Sequence, residues 1–139
     1  MFENPSIEDC CALLKRVKNI AVVGLSPNPS RPSFGVSMQM KRYGFNIIPV
    51  HPAAQEILGE KVYAKLADVP QAVDLVNVFR SAEFIDGVVD ECIAIKAPAL
   101  WIQDGIVNEA AAERARAAGI TVIMDRCIYR DYRNYCAEK

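Results

Sequence analysis

Apolar runs four to seven residues long recur along the chain, separated by stretches in which apolar positions fall three and four apart. The runs Ile20–Val23, Phe45–Val50, Val73–Phe79, Ala99–Ile102 and Ile120–Met124 are apolar almost throughout. Such composition belongs to strands buried on both faces. The intervening stretches carry helix signals. Ser6 with Asp9 three residues on resembles a capping box before CCALLKRV, with Ile7, Cys11 and Leu14 on one face. Ser33 precedes a segment with Phe34 and Met38 at helical spacing and Gly44 at its end, and is expected to be its N-cap. Ser81 is expected to cap the clearest helix, with Phe84, Ile85, Val88, Val89, Cys92 and Ile95 at helical steps. Asn108 opens an alanine-rich helix that Gly119 ends. Residues 53–72 are less regular, with one helical turn near Ala64–Ala67 and a bend at Pro70.

Strand and helix thus alternate five times. This predicts an α/β fold: a doubly wound, Rossmann-like, five-stranded parallel sheet in a single domain spanning residues 1–139. The expected strand order is 3-2-1-4-5, which puts the ligand crevice at the carboxyl ends of strands one and four. Loops 24–33, 50–53, 79–82 and 102–107 then converge on it.

Composition narrows the function classes. A net charge of −1 gives no general attraction to nucleic acid or to anionic membranes. No apolar run approaches membrane-spanning length, and the first residues, MFENPSIEDC, lack a basic and then apolar leader. A cytoplasmic protein is expected. The five cysteines are odd in number and offer no CxxC spacing, which favours free thiols in a reducing compartment. With His51 the single histidine, no metal site is expected.

The stretch Asn19–Gly35, NIAVVGLSPNPSRPSFG, concentrates the candidate chemistry. A strand closing on Gly24, a Ser/Pro/Asn loop with Arg31, and a helix N-terminus form a phosphate-binding arrangement. Ser26 and Ser33 offer hydroxyls to phosphate oxygens, and Arg31 a cation. A dinucleotide site would show G-x-G-x-x-G and an acid ending strand two. Here the positions are Gly24, Ser26 and Pro29, and strand two ends Val50-His51-Pro52. A P-loop is excluded, since no G-K-[ST] follows. His51 has no discernible triad partner, although Asp104 could approach from the fourth strand, and no catalytic residue is assigned. The tail sets Tyr129, Tyr132 and Tyr135 at three-residue steps among arginines. It is expected to pack on its own domain or on a second subunit, making a homodimer through the tail.

Gly24-Leu25-Ser26-Pro27-Asn28-Pro29-Ser30-Arg31-Pro32-Ser33 resembles the opening of the stand-alone CoA-binding domain family, related to the N-terminal domain of the succinyl-CoA synthetase α subunit. The resemblance continues through Tyr43-Gly44, Ile48-Pro49-Val50-His51-Pro52, Leu58-Gly59, Val73-Asp74-Leu75-Val76, Leu100-Trp101-Ile102-Gln103 and Asp125-Arg126-Cys127. His51 stands where the family commonly has Asn. The resemblance implies coenzyme A or an acyl-CoA held at the carboxyl edge of the sheet, its pyrophosphate on loop 24–33. Contacts would come from Gly24, Ser26, Pro27, Arg31, Ser33 and Phe34, and from His51 and Pro52. Phe79, Arg80, Ser81, Ile102 and Gln103 would line the groove. The synthetase's phosphorylated histidine belongs to a second domain absent from this sequence. Three functions stand open: a CoA-binding module without catalysis, a CoA- or NAD(P)-dependent enzyme or enzyme subunit, and a CoA-sensing regulator acting through a partner.

Overall fold

Five parallel strands alternate with helices in the computed structural model, which describes residues 2–137. The order along the chain is α1 (Ile7–Arg16), β1 (Asn19–Val23), α2 (Pro32–Arg42), β2 (Asn46–Val50), a small hairpin of β3 (Glu56–Ile57) and β4 (Glu60–Lys61), and β5 (Leu75–Val78). Then come α3 (Ile85–Ala94), β6 (Ala99–Ile102), α4 (Glu109–Ala117), β7 (Thr121–Met124) and α5 (Ile128–Asp131), the last continuing as a wider π-turn over Tyr132–Cys136. The Ser6 hydroxyl accepts the Asp9 N–H at 3.1 Å and Asn108 Oδ1 that of Ala111 at 3.1 Å, so both side chains cap their helices. The core-facing stripe of α1 is Cys10, Leu13 and Leu14, one step round from the expected face, and Cys11 is only half-buried.

The main sheet runs β2-β1-β5-β6-β7. Counting main strands only, that is 2-1-3-4-5 and not the expected 3-2-1-4-5. The third strand pairs with the free side of the first (Ile20 beside Leu75, Val23 beside Val78) instead of extending beyond the second. Two features explain it. Pro49 lies inside β2 and cannot donate to a neighbour on both sides, which suits an edge strand. The outer edge of β2 is then covered by the irregular segment after the hairpin: Tyr63 N–H donates to Pro49 O and His51 N–H to Tyr63 O. The crevice therefore lies between the carboxyl ends of β1 and β5, where the chain switches direction across the sheet.

Apolar side chains fill both faces of the sheet. One layer packs Val76, Val78, Leu100 and Ile102 under α3 and α4; the other packs Val22, Leu75, Trp101 and Ile123 under α1, α2 and the tail. Trp101 is fully buried, and its indole N–H donates to Arg126 O at 2.9 Å.

Two of the three tail tyrosines, Tyr129 and Tyr132, seat on their own domain, and Tyr135 is exposed. Tyr132 lies edge-on to Tyr43 and Phe45, with ring centroids 4.7 and 5.3 Å away, and Tyr129 is 6.3 Å from Tyr43. The expectation of free thiols fails for two of the five: Cys11 on α1 is bonded to Cys136 at the end of the tail, with Cα atoms 5.1 Å apart. The partners are 125 residues apart, and only the fold brings α1 against the tail. A cross-link closing so long a loop removes much chain entropy from the unfolded state. Cys136→Ser should therefore lower stability by about 2–5 kcal/mol against the oxidised protein, and by nothing against the reduced one. Paired denaturant melts with and without dithiothreitol measure it.

Candidate functional site

All five main strands deliver the residues that follow them to one crevice of about 850 Å³. Its size suits a small organic ligand. The ladder runs one step past the strands. Gly24 N–H donates to Val50 O, Phe79 N–H to Val23 O, Gln103 N–H to Val78 O and Asp125 N–H to Ile102 O. The floor of the crevice is thus held by backbone bonds as regular as the sheet itself.

Gly24 sits at the centre, with φ +83°. A Cβ there would lie 2.6 Å from Phe79 O and 3.0 Å from Arg80 Cδ, so only glycine lets the ends of β1 and β5 come this close. The loop after it is shaped by its own hydroxyls. Ser26 N–H donates to Ser33 Oγ at 3.0 Å, Asn28 N–H to Ser26 Oγ at 3.1 Å, and Ser30 N–H and hydroxyl both to Asn28 Oδ1. Ser33 is not the N-cap. Arg31 holds that position without a side-chain bond, Pro32 takes the first helical position it favours, and Ser33 lies buried within the first turn.

Arg31 is exposed at the rim, Arg80 half-buried, and neither makes an ion pair among the described residues. The Arg80 guanidinium lies over the Phe84 ring, 4.2 Å from its centroid. The carboxylate lining the crevice, Asp104, is gripped by Arg130 through two hydrogen bonds of 2.7 and 2.9 Å. That pair holds its carboxyl below the usual range. The crevice is therefore positive through two uncommitted guanidiniums, in a chain of near-zero net charge. His51 Nδ1 accepts the Ala53 N–H at 3.0 Å, which orients the ring without any acid behind it. The His51–Asp104 approach is not made, since Asp104 is committed to Arg130.

The structure brings together Gly24, Ser26, Arg31, Ser33, His51, Phe79, Arg80, Ser81 and Gln103. Four other candidates do not line the crevice. Ile102 is fully buried in the sheet core, Phe34 in the first turn of α2 packs half-buried against the layer under α1 and α2, and Pro27 and Pro52 are exposed. Ser81 precedes a 3-10 turn, Ala82–Phe84, that leads into α3, and caps nothing with its hydroxyl. The wall also holds Pro32, Val36, Ala82, Asp104, Gly105, Ile106 and Cys127. Cys127 follows the fifth strand, whose loop was not counted among those converging. The rule that every strand's carboxyl end faces the crevice would have found it.

Gln103 is buried at 3% exposure. Its Oε1 accepts the Ile128 N–H at 3.1 Å, while its Nε2 has no partner. Of the free thiols, Cys10 and Cys92 are buried and Cys127 is half-exposed. Burial pushes the Cys92 thiol up to about 12 and raises Cys10 as well. Among the described residues no cluster of three or more His, Cys, Asp or Glu suits a metal ion, and no helix is long and apolar enough to cross a membrane.

Residues 18–133 match the model of a family described as "CoA binding domain". The chain is 45% identical to the uncharacterized protein YneT of Bacillus subtilis over 127 residues, covering 91% of this chain and 94% of that one. It superposes on a solved structure of a hypothetical protein from Pyrococcus horikoshii with a TM-score of 0.92 and 30% identity, covering 99% of this chain and all of the other. It is also 35% identical over 77 residues to an ADP-forming acetate–CoA ligase of Archaeoglobus fulgidus, covering 54% of this chain but only 11% of the ligase.

The seam at Gly24 yields a direct test. Gly24→Ala should lower the melting temperature by roughly 5–15 °C, because it adds both left-handed strain and a clash with a backbone oxygen. Gly35→Ala in the same segment, where an added Cβ meets nothing within 4 Å, should be neutral or mildly stabilising. Calorimetry of the two variants checks the contrast.

Proposed function

Because the chain belongs to the CoA-binding domain family, we propose that its crevice binds coenzyme A or an acyl-CoA and carries out no chemistry of its own. The observation that supports this most is the pair of uncommitted guanidiniums, Arg31 and Arg80, beside a hydroxyl-lined turn at a helix N-terminus. Coenzyme A offers a pyrophosphate and a 3′-phosphate, enough anionic groups for both cations and the turn. A nicotinamide dinucleotide fits less well. Its adenine ribose requires an acid after β2, and that position is His51.

The reading without catalysis rests on what the crevice's polar groups already do. Thioester hydrolysis needs a nucleophile or water with a base oriented beside it. The His51 ring is turned toward Ala53 N–H, and Asp104 is neutralised by Arg130. A homodimer through the tail would form on what the tail still exposes, chiefly Tyr135.

Coenzyme A at about 100 times its dissociation constant should stabilise the protein by about 2.7 kcal/mol, a rise of several degrees in melting temperature, and NAD much less. A larger shift with NAD overturns the assignment. Arg31→Ala should weaken CoA binding by about 1.5–3 kcal/mol and flatten its dependence on salt. Wild-type affinity by calorimetry at both low and high salt would make Arg31 a bystander.

Acetyl-, succinyl- and long-chain acyl-CoA should all survive incubation with the protein. A thiol-release assay above the uncatalysed rate, lost in His51→Ala while CoA still binds, would make the protein an enzyme.

A further inference from the structure

We infer that Cys127 is a site of covalent capture, forming a mixed disulfide with the thiol end of the ligand when coenzyme A is supplied as its disulfide. The inference rests on the reading of the crevice as a CoA site and adds a direction and a reaction to it. Two independent observations carry it. Cys127 is the free thiol that lines the crevice, half-exposed, whereas Cys10 and Cys92 are buried and do not line it. Beside it on the same wall is Gln103, almost fully buried, with an amide N–H₂ that no protein atom accepts. The amide cannot simply be turned over to relieve this. Its oxygen is fixed by the Ile128 N–H, so the donor stays without an acceptor in a residue that lines the crevice. An unpaired buried donor is costly unless a ligand supplies the acceptor.

The two ends of the crevice differ in a way that sets the ligand's direction. Arg31, the Ser26–Ser33 turn and His51 stand at the end formed by α2 and β2, the place for the phosphates and adenosine. The other end, after β6 and β7, offers Gln103, Ile106 and Cys127. Its one carboxylate, Asp104, would repel a phosphate but is already spent on Arg130. The pantetheine arm is uncharged, with two amide carbonyls and a terminal sulfur. An amide donor, an apolar flank and a thiol match it group for group.

The exchange balances without any further oxidant. The Cys127 sulfur, as thiolate, attacks one sulfur of the CoA disulfide. A protein–CoA S–S bond forms as the CoA–CoA S–S bond breaks. The second CoA leaves as a thiolate and takes up the proton that Cys127 lost. Reduced CoA binds without reacting. The mixed disulfide is undone by any thiol reductant, so the capture is reversible.

The test uses the full chain as purified, its Cys11–Cys136 disulfide intact, incubated with CoA disulfide and analysed by intact-mass and peptide mass spectrometry without reductant. The expected result is one adduct, the mass of CoA less two hydrogens, mapped to Cys127. It should form at least about tenfold faster than the adduct from cystamine at equal concentration, the gain that a bound reactant brings. Excess desulfo-CoA, which lacks the sulfur, should suppress it. Cys127→Ser should lose the adduct. Labelling of Cys11 or Cys136 in place of Cys127, equal rates for CoA disulfide and cystamine, or no protection by desulfo-CoA would each overturn the inference. Desulfo-CoA binding separates the two readings. If it binds tightly while Cys127 stays unmodified, the crevice is a CoA site and the capture is wrong. If it does not bind, the CoA reading itself has failed.

Discussion

The approach of Gly24 to the Phe79 carbonyl is the constraint on which the rest of the site depends. Parallel strands in register carry side chains up to their last residue, and a side chain at this point would wedge β1 from β5. Without one, the turn after β1 leaves the sheet at a left-handed angle and Leu25 drops into the core, fully buried. The serine-rich loop is thereby folded back so that Ser33, inside α2, receives the Ser26 N–H. The helix N-terminus is aimed at the crevice because the glycine turns the chain there.

The opposite wall is built by the tail, which the sheet holds at several points. Trp101 accepts nothing but donates to Arg126 O; Arg126 in turn grips the buried Asp131 carboxylate, and Gln103 receives the Ile128 N–H. A buried carboxylate is tolerated only when paired in this way. Beyond it the Tyr132 ring on Tyr43 and Phe45, and the Cys11–Cys136 bond, fasten the far end to α1 and α2. Cys127 is thus presented by a segment anchored on both sides, not by a loose terminus.

Local physics was legible in the sequence and long-range pairing was not. The apolar runs located every main strand to within two residues, because a strand buried on both faces is apolar at nearly every position, Asn77 within β5 being an exception. Asn108, Ser6 and Gly119 marked helix ends because capping is a matter of neighbours a few residues apart. The order of strands failed because alternation of strands and helices is common to both doubly wound orders. Pro49 carried the deciding hint, as a residue suited to an edge. Ser33 was misplaced as a cap because Pro32 before it already starts the helix. The Cys11–Cys136 bond has no local signature at all. At the site, residues after strands one, two, three and four were found from convergence of loops. Ile102 was lost to the core because it is the last residue of a strand, one position short of the edge.

A crevice can attract a polyanion in a nearly neutral protein only if its cations are left without carboxylate partners. That is the distinction between Arg31 and Arg80 on one side and Arg114, Arg126 and Arg130 on the other, which are all bonded to carboxylates. Asp104 completes the pattern. Its pairing with Arg130 lowers its proton affinity, so the pair persists above the ordinary carboxylate range and is lost only as pH falls through the lowered value. At neutral pH the one acid on the wall is therefore silent, and the field in the crevice is set by the two free guanidiniums. The same commitment that quiets Asp104 as a charge also removes it as a base. One pairing does both, silencing the carboxylate as a charge and occupying its oxygens as acceptors.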